Sequence, residues 1–170
     1  MQFSKKSSES FVVMTEMVLP NDTNTLTNLM GGRLLYWMDI VAAIAAQRHA
    51  NSIVVTASVD NVSFQQPIKL GNVVTMEARV TRAFSTSMEV LIEVYCEDIP
   101  NQTKFKSNSA FYTFVGVDSE SKPKPVPELI PETEAEKVLY NQALQRRQMR
   151  LVLAGRLKPS DATELRNLFE

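Results

Sequence analysis

The sequence predicts an α+β fold: an antiparallel sheet wrapped around one long central helix, with a helical extension at the C-terminus. Three observations carry this. Residues 31–49 are helix-periodic and almost free of charge. Four strand-like runs follow with short connections, the pattern of an antiparallel meander. A proline-rich connector then leads into a helix-capping signal near residue 133.

The chain has 170 residues, about one domain's worth. Residues 1–130 are assigned to the sheet and its helix, and 131–170 to the extension. Residues 11–19, rich in Val and Met, form the first strand, ended by the turn Pro20-Asn21-Asp22-Thr23-Asn24. In the long helix, Leu34, Leu35, Met38, Val41, Ala42 and Ala45 recur at steps of three and four, and Asp39 alone carries charge between Arg33 and Arg48. The next strands span residues 53–65, 73–84, 87–97 and 104–117, with turns at Gly71-Asn72, 83–86 and 99–102. In the third of these, Met88, Val90, Ile92, Val94 and Cys96 share the inner face, leaving Glu89 and Glu93 on a wet outer face. Pro123, Pro125, Pro127 and Pro131 make residues 119–131 an extended connector. Thr133 with Glu136 forms a capping box for a second helix reaching about Leu153. Ser160 and Asp161 are expected to cap a short last helix ending near Phe169.

Composition narrows the chemistry. Eighteen Lys and Arg against nineteen Asp and Glu give a net charge of −1, so no broad basic field serves nucleic acid. A single cysteine, Cys96, and a single histidine, His49, exclude an internal disulfide framework and a Cys/His zinc cluster within one chain. There is no G-x-S-x-G nucleophile motif. Residues 1–10 are polar and carry Lys5 and Lys6, and the apolar run after them is broken by Thr15 and Glu16. No stretch reaches the ~20 apolar residues of a membrane span. The expectation is a cytoplasmic protein with no metal and no membrane partner, working with carboxylates, amides and backbone groups.

Asp39 fits its surroundings least. A lone carboxylate among buried apolar neighbours is costly unless it is hydrogen-bonded or protonated. It either pairs with a nearby backbone or arginine group, or does chemistry. Gly31-Gly32 opens the helix with Asn28 just before it. A glycine-lined helix start presents unpaired N–H groups to a ligand, the equipment for holding an oxyanion, although Gly-Gly also serves tight packing. Asp39 lies seven residues beyond Gly32, ~10 Å along the axis. That is too far to serve the same carbonyl, and the same helix of a second subunit, lying antiparallel, would close the gap. The spacing hints at a site shared across a dimer. Elsewhere, Arg82 beside the hydroxyl-rich turn Ser85-Thr86-Ser87 is a candidate phosphate contact. His49 reads as a cap for its helix's last carbonyls, Cys96 as an inert core thiol, and Lys104 and Lys106 as a solvated face.

Several blocks are recognisable. Asn28-Leu29-Met30-Gly31-Gly32, Met38-Asp39 and Gln47-Arg48-His49 resemble the helix region of the acyl-coenzyme A thioesterases of the hot-dog fold. The likeness is to the cytosolic branch that includes brain acyl-CoA hydrolase and the bacterial YciA-type enzymes. Val55-Thr56-Ala57-Ser58-Val59-Asp60 with Phe64, Thr86-Ser87-Met88-Glu89-Val90, Ser109-Ala110-Phe111-Tyr112-Thr113-Phe114 and Pro125-Val126-Pro127 extend it over residues 10–145 in order.

The resemblance implies a strongly curved sheet around the helix, edge-to-edge pairing of two units, and hydrolysis of fatty acyl-CoA without metal or cofactor, CoA entering only as part of substrate and product. It implies Asp39 as general base or nucleophile, Asn28 as the group placing water or substrate, and the Gly32 amide, with Gly31, as the polariser of the thioester carbonyl. Met30 would tune the acyl pocket. Arg82, Ser85, Thr86 and Ser87 would meet the nucleotide or pantetheine part of CoA. A homodimer would hold two sites, each built from Asp39 of one subunit and Asn28 of the other, and a trimer of dimers is the expected assembly. Two other readings use the same fold: a hydratase or dehydratase, which would need a histidine beside the carboxylate, and an acyl-CoA-binding module without turnover.

Overall fold

The computed structural model describes residues 4–60, 62–64 and 66–168. A five-stranded antiparallel sheet has the order β2-β4-β5-β6-β3, from β2 (Val12–Met17), β3 (Ile53–Val59), β4 (Val73–Ala83), β5 (Ser87–Asp98) and β6 (Thr103–Val117). The helix α1 (Gly31–Ala50) lies along its inner face. Leu34, Met38, Val41, Ala42 and Ala45 of α1 are fully buried against Val74, Met76, Ala78 and Val80 of β4. They also meet the alternating Met88, Val90, Ile92, Val94 and Cys96 of β5. The helix period and the strand period meet in one core, as the sequence predicts. Burial pushes the Cys96 thiol up to about 11, with Asp98 adding to the effect. The thiol is inert at neutral pH.

The outer face departs from expectation. The helix α2 (Glu134–Leu153) crosses it, started by the reciprocal Thr133–Glu136 box. Glu89, on the face expected to be wet, is wholly buried there, and Leu91 beside it is buried too. Glu93 alone keeps the expected setting, between Arg79 and Lys106. The strand expected over 53–65 ends at Val59, and its expected end, Gln65, lies outside the described residues. The strand stops early for a local reason: Asp60 turns its carboxylate to Arg150 of α2, 2.6 Å away, while the ring of Phe64 packs on Gly31.

The connector is extended as expected, but its last residues form β7 (Glu128–Ile130), paired in parallel with β1 (Ser4–Lys6). Lys5, read from the sequence only as part of a polar N-terminal segment, is buried there and donates to the Arg48 carbonyl at the end of α1. His49 therefore is not the cap. It is wholly buried and its Nε2 donates to the Pro127 carbonyl at 2.8 Å. Ser160 and Asp161 lie within a single turn (Pro159–Asp161) rather than capping the short α3 (Thr163–Arg166), which has no side-chain cap. The expected end near Phe169 lies outside the described residues. No helix among the described residues is long and apolar enough to cross a membrane.

The burial of His49 has a testable sign. Desolvation holds its pKa below the ordinary 6.5, aided by Lys5 and opposed by the Pro127 carbonyl. Below about pH 6.5 the unfolded chain takes up a proton that the native imidazole refuses, so stability falls as the pH drops. The Tm is expected to decrease between about pH 7.5 and about pH 5.5, and His49→Asn should flatten that slope. An unchanged slope in the variant would assign the pH dependence to other groups.

Candidate functional site

The start of α1 is assembled from a tight loop. Asn24 accepts from the Leu26 N–H at 2.9 Å and the Asn28 N–H at 3.2 Å through its side-chain oxygen, and its own N–H donates to the Asn28 carbonyl at 2.8 Å. Thr27 takes a left-handed φ of 58° to close this turn. The buried Asp22 fastens the loop to the helix by an ion pair with Arg33 Nε at 3.0 Å, and its carbonyl accepts from the Met30 N–H at 2.9 Å. Met30, the N-cap, makes no side-chain cap hydrogen bond. The Gly31 and Gly32 N–H groups have no partner among the described residues, as the first amides of a helix lack intrahelical acceptors. The two glycines differ in use. A Cβ on Gly31 would come within 3.2 Å of the Phe64 ring, whereas Gly32 faces open space. Gly31 is half-buried and Gly32 exposed.

Asp39 lies two turns further along α1 and is half-buried. Its carboxylate accepts a hydrogen bond from the Thr56 hydroxyl on β3 at 2.8 Å. Below it is Tyr112, whose hydroxyl donates to the Leu35 carbonyl at 3.4 Å. Burial, and then the negative charge of Asp39, push that phenol up to about 12. The nearby hydroxyl stays neutral, so the Asp39 carboxylate faces no competing anion from it. Gly32, Tyr36 and Asp39 follow one another at steps of four and three, and Ile40 lies four beyond Tyr36, so they form one stripe of α1. Tyr36 (57% exposed) leaves this stripe partly apolar and uncovered, and Ile53, Val55 and Val59 of β3 are exposed at the sheet edge. β3 is an edge strand, hydrogen-bonded only to β6 among the described residues.

A third group lies on the outer face. Thr86 and Ser87 border a cleft of about 990 Å³ beneath α2, lined also by Arg147 of that helix and by Arg156 just beyond its end. Arg147 donates to the Ser87 hydroxyl at 3.3 Å. Ser85 is exposed at the turn, with its carbonyl held by the Val126 N–H. Arg82, named beside them from the sequence, is occupied: it donates to the Tyr140 carbonyl at 2.8 Å and lies 4.0 Å over the Tyr140 ring. The structure thus joins Asp39 to Thr56, Asn28 to Asn24 and the two glycines, and Thr86 to Ser87, as three separate groups. No set of three His, Cys, Asp or Glu groups suited to a metal occurs among the described residues.

A pattern for the thioesterase superfamily matches residues 26–101. The uncharacterized acyl-CoA thioester hydrolase YkhA of Bacillus subtilis (strain 168) is 44% identical over 138 residues, covering 81% of this chain and 80% of that one. The chain belongs to the acyl-CoA thioesterases. Mouse thioesterases that it also matches are longer, and the chain spans a quarter of the length of two of them. An apo-hexameric acyl-CoA thioesterase shares the fold with a TM-score of 0.86 at 40% identity, over 91% of this chain and 98% of its own. An acyl-CoA hydrolase of Staphylococcus aureus, solved with butyryl coenzyme A, coenzyme A and coenzyme A disulfide, aligns with a TM-score of 0.81 at 38% identity, over 89% and 94%. Alanine variants of that enzyme have been solved at an aspartate, at a threonine 17 residues after it, and at an asparagine 15 residues before it.

The curled antiparallel sheet around α1 is thus the hot-dog fold, and the thioesterase is an enzyme of acyl-CoA hydrolysis. Three groups escaped the sequence reading. Thr56 stood in a recognised strand block, but only the strand's position in space brings it to Asp39. Asn24 was read as a turn residue, although it is the side chain that orders the turn. Arg147 and Arg156 lie in a segment without family likeness, where a run of basic residues from 146 onwards was the available signal.

Proposed function

We propose that this thioesterase hydrolyses acyl-CoA at a site shared between two subunits. The observation carrying the proposal is the Asp39 carboxylate fixed by Thr56 at 2.8 Å, two helical turns from the unpaired amides of Gly31 and Gly32. Asp39 acts as general base towards water, or as nucleophile towards the thioester carbon. The Gly32 amide, with Gly31 beside it, holds the developing oxyanion. Thiolate leaves readily, so no strong acid is required. CoA is a part of substrate and product, and neither metal nor further cofactor enters the scheme.

The asparagine that places the water belongs to the Asn24–Asn28 pair. Asn28 is the family-like position named from the sequence. The spacings of the S. aureus variants, counted from Asp39, instead reach Asn24 and Thr56, and Thr56 is the residue bonded to Asp39. We therefore assign the role to Asn24, with Asn28 holding its loop. Met30, exposed at the helix start, borders the acyl chain. Ser85, Thr86 and Ser87, with Arg147 and Arg156, meet the phosphate end of CoA, and Arg82 supports that end by fixing α2 through Tyr140.

Sharing across a dimer is supported by the length of α1, the bare edge of β3, and the uncovered, partly apolar stripe beside Asp39. Two chains joined at β3 would bring Asp39 of one to the helix start of the other. Hexameric relatives favour three such dimers, and the protein is assigned to the cytoplasm. The test is thiol release from saturated acyl-CoAs of increasing chain length, measured for wild type, Asn24→Ala and Asn28→Ala. Asn24→Ala should lose the greater part of kcat, and no thiol release from any saturated substrate would end the hydrolase reading. Mixing inactive Asp39→Asn and Asn24→Ala chains should restore about a quarter of wild-type activity, because half of the dimers are mixed and each has one intact site of two. No recovery on mixing would place both groups in one subunit.

A further inference from the structure

The extension beyond residue 130 is assigned so far only to the phosphate end of CoA, yet one of its side chains reaches the end of the active-site strand. Arg150 of α2 donates through Nη1 to Asp60 at 2.6 Å and to Glu89 at 3.2 Å. Glu89 is wholly buried, and Arg146 pairs with both of its oxygens at 2.8 and 3.0 Å. The Thr81 hydroxyl donates to the same carboxylate at 2.8 Å. The anchor of Arg150 is therefore fixed from several sides. Arg146 also stacks 3.8 Å over the Phe111 ring, and the Phe111 carbonyl accepts the Asp60 N–H at 2.9 Å.

Asp60 is the first residue after β3. That strand is bonded on one side only, and its register with β6 slips between Thr56 and Ser58. A bulge frees a strand locally to shift and re-aim its side chains. The position of the Thr56 hydroxyl on Asp39 thus depends on how the strand is held beyond the slip, and Asp60 is where it is held. We infer that Arg150 is a positioning residue for catalysis, tying the end of β3 so that Thr56 stays on Asp39.

This rests on the Asp39–Thr56 reading above. Reactive groups displaced by about 1 Å can lose about 100-fold in rate. In the full-length enzyme, Arg150→Leu should lower kcat by about tenfold to a hundredfold with KM near wild type. Asp60→Asn, which keeps the side-chain shape, should reproduce the loss, and Arg150→Lys should recover part of it. In a Thr56→Val background the same Arg150→Leu change should lower kcat no further, because the group it positions is gone. A merely structural role would lower Tm in both backgrounds and leave kcat of the folded fraction unchanged, which overturns the proposal. A rise in KM at constant kcat overturns it too, making Arg150 a CoA contact instead. If Thr56→Val is itself silent, the inference falls, and Asp39→Asn assayed alongside tells whether the hydrolase reading falls with it.

Discussion

Asp39→Asn is expected to leave a folded enzyme whose kcat on a saturated acyl-CoA is lower by about 1,000-fold, within the range for loss of a general base. The amide has nearly the shape of the carboxylate, and its oxygen can still accept from the Thr56 hydroxyl, so Tm should stay close to wild type. What is lost is the ability to take a proton from water or to attack carbon. KM should change little, since Asp39 sits apart from the cleft that lodges the far end of CoA. A folded variant with wild-type turnover would remove Asp39 from the mechanism. A single turnover of the wild type in isotope-labelled water separates the two roles. A general base delivers label directly to the fatty acid, whereas a nucleophile whose mixed anhydride is opened by water at the aspartyl carbon passes on its own unlabelled oxygen and takes up the label itself.

Glu89→Leu should produce the largest loss of stability. The carboxylate is wholly buried and answers Arg146 and Arg150, whose side chains are only 20% and 18% exposed. Its removal leaves two guanidinium groups facing an apolar side chain, and breaking a buried ion pair in this way costs about 3–5 kcal/mol. Replacing both arginines as well, with Met at 146 and Leu at 150, should return much of that loss, because an apolar set of similar volume carries no unpaired charge. Denaturant unfolding at a fixed protomer concentration measures both. A single-variant loss below about 1 kcal/mol would mean that water reaches the site and solvates the arginines.

The same residue marks the limit of what the sequence made legible. Alternation along β5 placed Met88 to Cys96 inside and Glu89 with Glu93 outside, and both assignments of face hold. The period reports which face a residue occupies and not what later covers it. Arg146 and Arg150, four apart on α2, supplied the missing cover from more than fifty residues away. Asp39 was legible because a single charge in an apolar helix contradicts its surroundings. Thr56 was not, since a threonine on a strand contradicts nothing. Two further features have one origin: Lys5 capping α1 and His49 bonding to Pro127 both arise where β1 and β7 meet, a pairing with no local signature.

That meeting of β1 and β7 sets an order in time. The Ser8 hydroxyl donates to Glu132, 124 residues later in the chain, at 3.0 Å, and Lys6 pairs with the same carboxylate. At about 5–20 residues per second of synthesis, roughly 6–25 s separate the making of the two partners. For that interval the nascent chain carries α1 with its C-terminal carbonyls uncapped by Lys5, and a first strand with nothing to pair with. Residues 4–10 thus wait for residues 128–132 before they find their places beside the end of α1.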